Sequence, residues 1–267
     1  MKIIRFQSGG KIHWGQPTAG GKALRIEGNI FDAARRVTAE ELPIEKMLAP
    51  LVPVDILCIG SNYRDHIKET NAEWPEKPML FIKSSNTLND PGAAIAAPKL
   101  SGQVDYEGEL VIVIGKTARN IPRERALEYV FGYTIANDVS ARDWQKNPAL
   151  NGGQFARGKS FDGFCPLGPC IVTADEIPNP NKLSLRTILN GNTVQDSSTE
   201  QMVFDVKTLV ESVTSTMTLR AGSIILTGTP SGVGAGRTPP LWLKAGDRIA
   251  VEIESIGRLE NSVVNET

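Results

Sequence analysis

Cysteine is scarce in this chain. Cys58, Cys165 and Cys170 are odd in number and never fall in C-x-x-C spacing, which excludes a disulfide framework and points to buried free thiols in a reducing cytosol. Cys165 and Cys170 sit among apolar residues and prolines, with no histidine nearby to activate either as a nucleophile. A surplus of charge is also missing. Lys plus Arg number 29 and Asp plus Glu 30, a balance that gives no general attraction for nucleic acid or an anionic membrane. Long apolar runs are absent too. Runs such as Leu110 to Ile114 fall far short of the roughly 20 residues a membrane helix needs. The first fifteen residues carry charges and glycines where a signal peptide needs an apolar block. The expected setting is therefore cytoplasmic, without membrane or nucleic-acid partners.

Apolar residues make up 40% of the chain and charged residues 22%, which excludes wholesale disorder. The 267 residues suit one large domain, or one large and one small. Such a chain buries roughly three quarters of the surface it exposes when unfolded, so a core needs no covalent staples. Gly 25 and Pro 17 exceed the average share of roughly 12% and predict many turns in a β-rich chain.

Residues 1–50 alternate polar and apolar side chains in short pieces separated by Gly9-Gly10 and Gly20-Gly21, the pattern of a small antiparallel unit. Pro43, Pro50 and Pro53 mark a linker to a second domain over 51–267. There the pattern predicts buried strands at 54–59, 78–83, 106–114, 131–138 and 223–227, with a late alternating strand at 248–256. Short helices are expected at 62–72 and 123–130, and a periodic one over 203–219 capped by Gly222. Asn190-Gly191 between apolar residues is a strong hairpin signal, and 84–103 reads as loop.

Side chains two apart on a strand share a face, so Glu107 and Glu109 present paired carboxylates at the mouth of a very apolar segment. Two such groups repel unless a proton or a cation intervenes, and a hard divalent ion satisfies both. The same spacing also describes an exposed strand face. Asp138 ends another apolar run, placed either to complete an all-oxygen site or to cap a helix. His66 and Glu69 share a helical face at i and i+3. A carboxylate there fixes the imidazole tautomer and raises its basicity, although a solvated pair has the same spacing. Lys159 lies in the polar stretch 157–162, where it could hold a carboxylate or an enolate oxygen. The loop 227–234 can offer backbone N–H groups to an anion but lacks a phosphate-binding signature.

Six segments recur in a fixed order: Gly-Ser-Asn-Tyr-Arg-Asp-His at 60–66, Pro-Met-Leu-Phe-Ile-Lys at 78–83, Asp-Tyr-Glu-Gly-Glu-Leu at 105–110, Asn-Asp-Val-Ser-Ala-Arg-Asp at 137–143, Gly-Lys-Ser-Phe-Asp at 158–162 and Leu-Thr-Gly-Thr-Pro-Ser-Gly-Val-Gly at 226–234. Over about residues 50–260 this set resembles the fumarylacetoacetate hydrolase family in its shorter bacterial and mitochondrial branch. The resemblance implies an α+β, β-rich fold: mixed strands rolled into a distorted sandwich, preceded by a small variable N-terminal β domain, usually as a homodimer. It implies Glu107, Glu109 and Asp138 as ligands of Mg²⁺ or Mn²⁺, His66 and Glu69 as a dyad on a lid helix, and Lys159 beside the metal. Arg142, Gln145, Thr229 and Lys83 match positions that meet substrate.

The first expectation is a hydrolase that cleaves a C–C bond in a small acylpyruvate-type keto acid. In it His66 activates water, and the metal and Lys159 stabilise the enolate that leaves. Oxaloacetate decarboxylation and isomerisation of hydroxymuconate-type compounds use the same site and stand as alternatives. A catalytically silent scaffold stands outside that class.

Overall fold

The computed structural model describes all 267 residues. Its spine is the strand Gly108–Ile114, every residue of which is buried. The continuous apolar run Leu110–Ile114 within it cannot lie at a surface. It pairs antiparallel with Val130–Asn137 on one side and with Ile224–Leu226 on the other. Ile56–Gly60 joins parallel to Ile224–Leu226, and Met79–Lys83 closes that edge. On the other flank Cys165–Thr173 pairs with Val130–Asn137. The N-terminal strands continue the same twelve-stranded sheet. A second sheet of five strands packs across it, formed by Asn192–Ser198, Ser184–Leu189, Arg248–Ile253, Gly257–Asn265 and Ile95–Ala97.

The two sheets meet tightly at Gly108. A Cβ there would lie against Thr187 Oγ1 and the Val251 side chain, so only glycine admits the second sheet between the two glutamates. The main core is built at this contact from Leu110, Ile112 and Ile114 of the first sheet and Leu185, Val251 and Ile253 of the second. Helix Val206–Thr216 covers it with Val206, Leu209, Val210 and Val213, the apolar stripe of a 3.6-residue period. Asp205 starts that helix by accepting the Thr208 N–H at 2.8 Å, a side-chain cap.

The β-rich class, the mixed sheets and the scarcity of helix are as expected. Several local expectations differ. The chain near Pro50 is no loose linker: Ala49 and Leu51 are buried, and Ala49 N–H donates to Asp90 Oδ1 at 2.9 Å. The N-terminal strands form the small antiparallel unit expected, and it joins the main sheet where Lys2 and Ile3 pair with Val172 and Ile171. The short helix expected at 123–130 forms as a 3₁₀ helix over Arg123–Tyr129. Gly222 does not cap the long helix, which ends at Thr216 with Met217 extended. It turns the chain into the next strand with φ +89°, a left-handed value that glycine adopts freely. The stretch 84–103 holds two short strands, Leu88–Asn89 and Ile95–Ala97. The hairpin at Asn190-Gly191 forms with both residues at positive φ, 51° and 82°, the type I′ turn that this pair favours. No helix is long and apolar enough to cross a membrane.

Candidate metal centre and active site

Glu107 and Glu109 flank the sheet contact, and Asp138 follows the paired strand, its N–H donating to Glu107 O at 2.8 Å. This register brings one oxygen from each of the three carboxylates within 4.8 Å of the others, all three residues buried. Three buried acids would repel without compensation, and the structure supplies it unevenly. Lys159 Nζ donates to Glu107 Oε2 at 2.6 Å and Asp138 Oδ2 at 2.8 Å. Lys83 Nζ donates to Asp138 Oδ1 at 2.6 Å. Arg142 donates to Glu107 Oε1 at 2.6 Å and Asp105 Oδ2 at 2.8 Å. Glu109 has no side-chain cation and receives the Gly228 N–H at 2.6 Å.

The titration follows this geometry. Burial pushes the Glu107 carboxyl up, but Arg142 and Lys159 outweigh it and hold the group well below the usual carboxylate range. Burial pushes Glu109 far up, and the charges of Asp138 and Glu107 push it further. Burial disfavours the Lys159 ammonium, yet Asp138 and Glu107 keep it charged well above its ordinary range. Four buried carboxylates, counting Asp105, therefore face three buried cations, and the unbalanced charge falls on Glu109. A divalent cation fits that donor set: hard oxygen ligands, one charge uncompensated, and a wall able to hold more oxygen donors.

A cavity of about 220 Å³ opens on Glu107 and Glu109 of the triad. Glu107, Glu109 and Lys159 line it, with Arg142, Gln145 and Thr229 also in its wall. His66 lines the same cavity from the short helix Arg64–Glu69. Glu69 Oε2 lies 3.1 Å from His66 Nδ1, while its Oε1 accepts the Gly232 N–H at 2.8 Å. An ionised carboxylate only accepts, so Nδ1 carries the hydrogen and Nε2 keeps its lone pair. Asn62 braces the helix from behind, donating to Phe204 O and Thr227 O at 3.1 and 2.8 Å.

Lys83 departs from the expectation of a substrate contact. It is buried behind Asp138, off the cavity wall, because its strand is anchored at the edge of the main sheet. The expected anion loop is also committed elsewhere: Gly234 and Ala235 N–H donate to Asp105 at 2.7 and 3.0 Å. Asp105 thus ties that loop to Arg142, a link the sequence reading missed, although a third acid beside Glu107 was a visible signal. Gln195 was missed with no local signal at all. From the second sheet its amide donates to Thr229 Oγ1 and Pro230 O at 2.8 and 2.9 Å. Its carbonyl accepts from Gly108 N–H and Thr187 Oγ1 at 3.1 and 2.7 Å. Gln195→Leu strands several buried partners and is expected to lower stability by about 2–3 kcal/mol, read as a lower urea midpoint with an unchanged slope.

Two packed sheets with a buried carboxylate triad facing a histidine-carboxylate pair define a β-rich protein with a candidate metal centre. A family model described as fumarylacetoacetate hydrolase C-terminal matches residues 55–264, and this chain belongs to that family. An N-terminal model described as Rv2993c-like matches residues 1–50. Among curated relatives, the mitochondrial oxaloacetate tautomerase FAHD2A of Homo sapiens is 44% identical, covering 99% of this chain and 92% of its own. The corresponding Xenopus laevis protein is 48% identical over 82% and 68% of the two chains. Among solved structures, a 5-carboxymethyl-2-hydroxymuconate delta-isomerase from Mycobacterium smegmatis superposes with TM-score 0.88 at 36% identity over the whole of both chains. A fumarylacetoacetate hydrolase from Exiguobacterium antarcticum gives 0.85 at 40%, again over both whole chains. The vertebrate relatives are named mitochondrial, so free buried thiols do not single out the cytoplasm.

Proposed function

We propose that this protein is a Mg²⁺- or Mn²⁺-dependent enzyme that interconverts the keto and enol forms of a small 2-keto acid, with oxaloacetate as substrate. The observation that carries the reading is the placement of His66, oriented by Glu69, in one small cavity with Glu107, Glu109 and Lys159. A proton shuttle facing a charge-stabilising wall suffices for enolisation, and no attacking water has to be positioned. The relatives named as tautomerases and isomerases support that choice. C–C hydrolysis, the first expectation from the sequence, becomes the second reading, supported by the relative named fumarylacetoacetate hydrolase.

In this mechanism Glu107, Glu109 and Asp138 hold the cation, which supplies Lewis-acid polarisation of the keto oxygen when bound. His66 Nε2 takes the proton from the carbon next to the keto group, and Glu69 stabilises the resulting imidazolium. The C–H electron pair moves into the new C=C bond and charge develops on oxygen. Lys159 lies beside that charge and lowers the barrier electrostatically. His66 then delivers the proton to oxygen, so atoms and charge balance with no co-reactant. Ile59, Phe81, Phe155 and Val233 in the cavity wall keep bulk water from competing.

The test follows the ultraviolet absorbance of enol-oxaloacetate with metal-stripped protein, then with Mg²⁺ or Mn²⁺ restored, beside pyruvate release from oxaloacetate and acetylpyruvate. Enol decay that accelerates only with metal supports the proposal, and His66→Ala should slow it about 10²–10⁴-fold. Faster pyruvate release from acetylpyruvate than enol decay of oxaloacetate would replace the proposal with the hydrolase reading. Faster release from oxaloacetate would replace it with a decarboxylase.

A further inference from the structure

Four basic side chains line the cavity: His66, Arg142, Lys146 and Lys159. Three are committed. Arg142 is spent on Asp105, Glu107 and the Gln145 carbonyl. Lys159 bridges Glu107 and Asp138, and His66 faces Glu69. Arg157, nearby in sequence, stacks on Trp144 at 4.9 Å. Lys146 alone is free. It follows the helical turn Arg142–Gln145, its N–H closing on Arg142 O at 2.9 Å. Its side chain is exposed, and its ammonium forms no ion pair.

The other walls offer no further positive charge: beside the uncharged Ser61, Thr70, Gln145 and Thr229 they are apolar. Ile59, Met79, Phe81, Phe155, Val233 and Ala235 are apolar, and a carboxylate enclosed by them would lose hydration without a partner. Lysine suits the remaining task, being a point charge on a flexible stem that can follow the far end of a short ligand. We infer that Lys146 selects 2-keto dicarboxylates over keto monocarboxylates of equal length, by pairing with the carboxylate farthest from the triad. This inference rests on reading the cavity as a keto-acid site.

The test is calorimetric binding of 2-oxoglutarate and 2-oxopentanoate to the Mg²⁺-loaded protein. The two ligands share five carbons and the keto-acid head and differ by one carboxylate. Wild type should bind the dicarboxylate about tenfold more tightly, the size of one charge-assisted hydrogen bond. Added salt should narrow that gap. Lys146→Met should erase the gap while leaving the monocarboxylate unchanged, and Lys146→Arg should restore it. In parallel, Lys146→Met should raise the KM for oxaloacetate about tenfold with kcat within twofold. A gap that persists in Lys146→Met, or equal weakening of both ligands, overturns the assignment of Lys146 and leaves the keto-acid reading intact. If wild type neither binds these ligands nor turns over oxaloacetate, the keto-acid reading falls and this inference with it.

Discussion

Lys159→Met is expected to lower the stability of the metal-free protein by about 3–5 kcal/mol, the usual consequence of removing one partner from a buried ion pair, and to abolish turnover. The ammonium is buried and is the group shared by Glu107 and Asp138. Without it four buried carboxylates face two cations, Lys83 and Arg142. The pH dependence separates this cause from lost packing. Burial raises the Glu107 carboxyl, and Arg142 with Lys159 pulls it well below the usual range. A depressed carboxylate contributes stability that is present above its unfolded value of about 4.3 and is lost as pH falls through its folded value. Removing Lys159 shrinks that depression, so the variant should show a weaker loss of stability on acidification, starting from a lower plateau at neutral pH. Saturating Mg²⁺ should recover part of the plateau, because a ligand that binds only the folded state stabilises it by mass action. Urea unfolding at several pH values, with and without Mg²⁺, reads all three effects. A metal-free variant as stable as wild type at neutral pH would contradict the charge balance described here.

What could be read from the sequence, and what could not, divides along chain separation. The alternation at Glu107 and Glu109, the His66–Glu69 spacing and the Asn190-Gly191 hairpin are local patterns, and local backbone geometry expresses them directly. The order of six segments then pointed to one family, which the domain match over residues 55–264 shows. Pairings across long loops were invisible. Lys83 reaches Asp138 over 55 residues, and nothing in a strand-end lysine says that it will be buried behind an aspartate. Gln195 reaches Gly108 over 87 residues, and a lone glutamine on an alternating strand carries no signal. The fusion of the N-terminal strands to the main sheet depends on Lys2 meeting Val172, which a proline-rich boundary conceals. Gly222 followed a periodic helix and so resembled its cap, but the helix ends where Met217 turns extended. That choice is made by packing rather than propensity.

Glu109→Gln should move two properties in opposite directions. Metal affinity should fall by more than the 10–100-fold that loss of an outer-shell partner brings, because Glu109 is the carboxylate with no competing side-chain cation. The metal-free protein should become more stable. Glutamine keeps an oxygen for the Gly228 N–H, and its amide can donate toward the carboxylates that now repel Glu109. The pH profile carries the sign. Burial, with Asp138 and Glu107, raises the Glu109 carboxyl far above its ordinary value. A carboxyl raised on folding favours the folded state fully below its unfolded value of about 4.3, and that advantage is lost as pH climbs through the folded value. Metal-free wild type should therefore lose stability from mildly acid to alkaline pH, while Glu109→Gln lacks that component of the slope. Mg²⁺ should reverse the ranking of the two proteins, since binding requires the deprotonated carboxylate and releases its proton. Urea midpoints at pH 5 and 8 with and without Mg²⁺, beside calorimetric titration in buffers of different ionisation enthalpy, measure both halves. Unchanged Mg²⁺ affinity in the variant would remove Glu109 from the metal centre. A destabilised metal-free variant would instead show that the unpaired charge on Glu109 is neutralised in the folded chain without a cation.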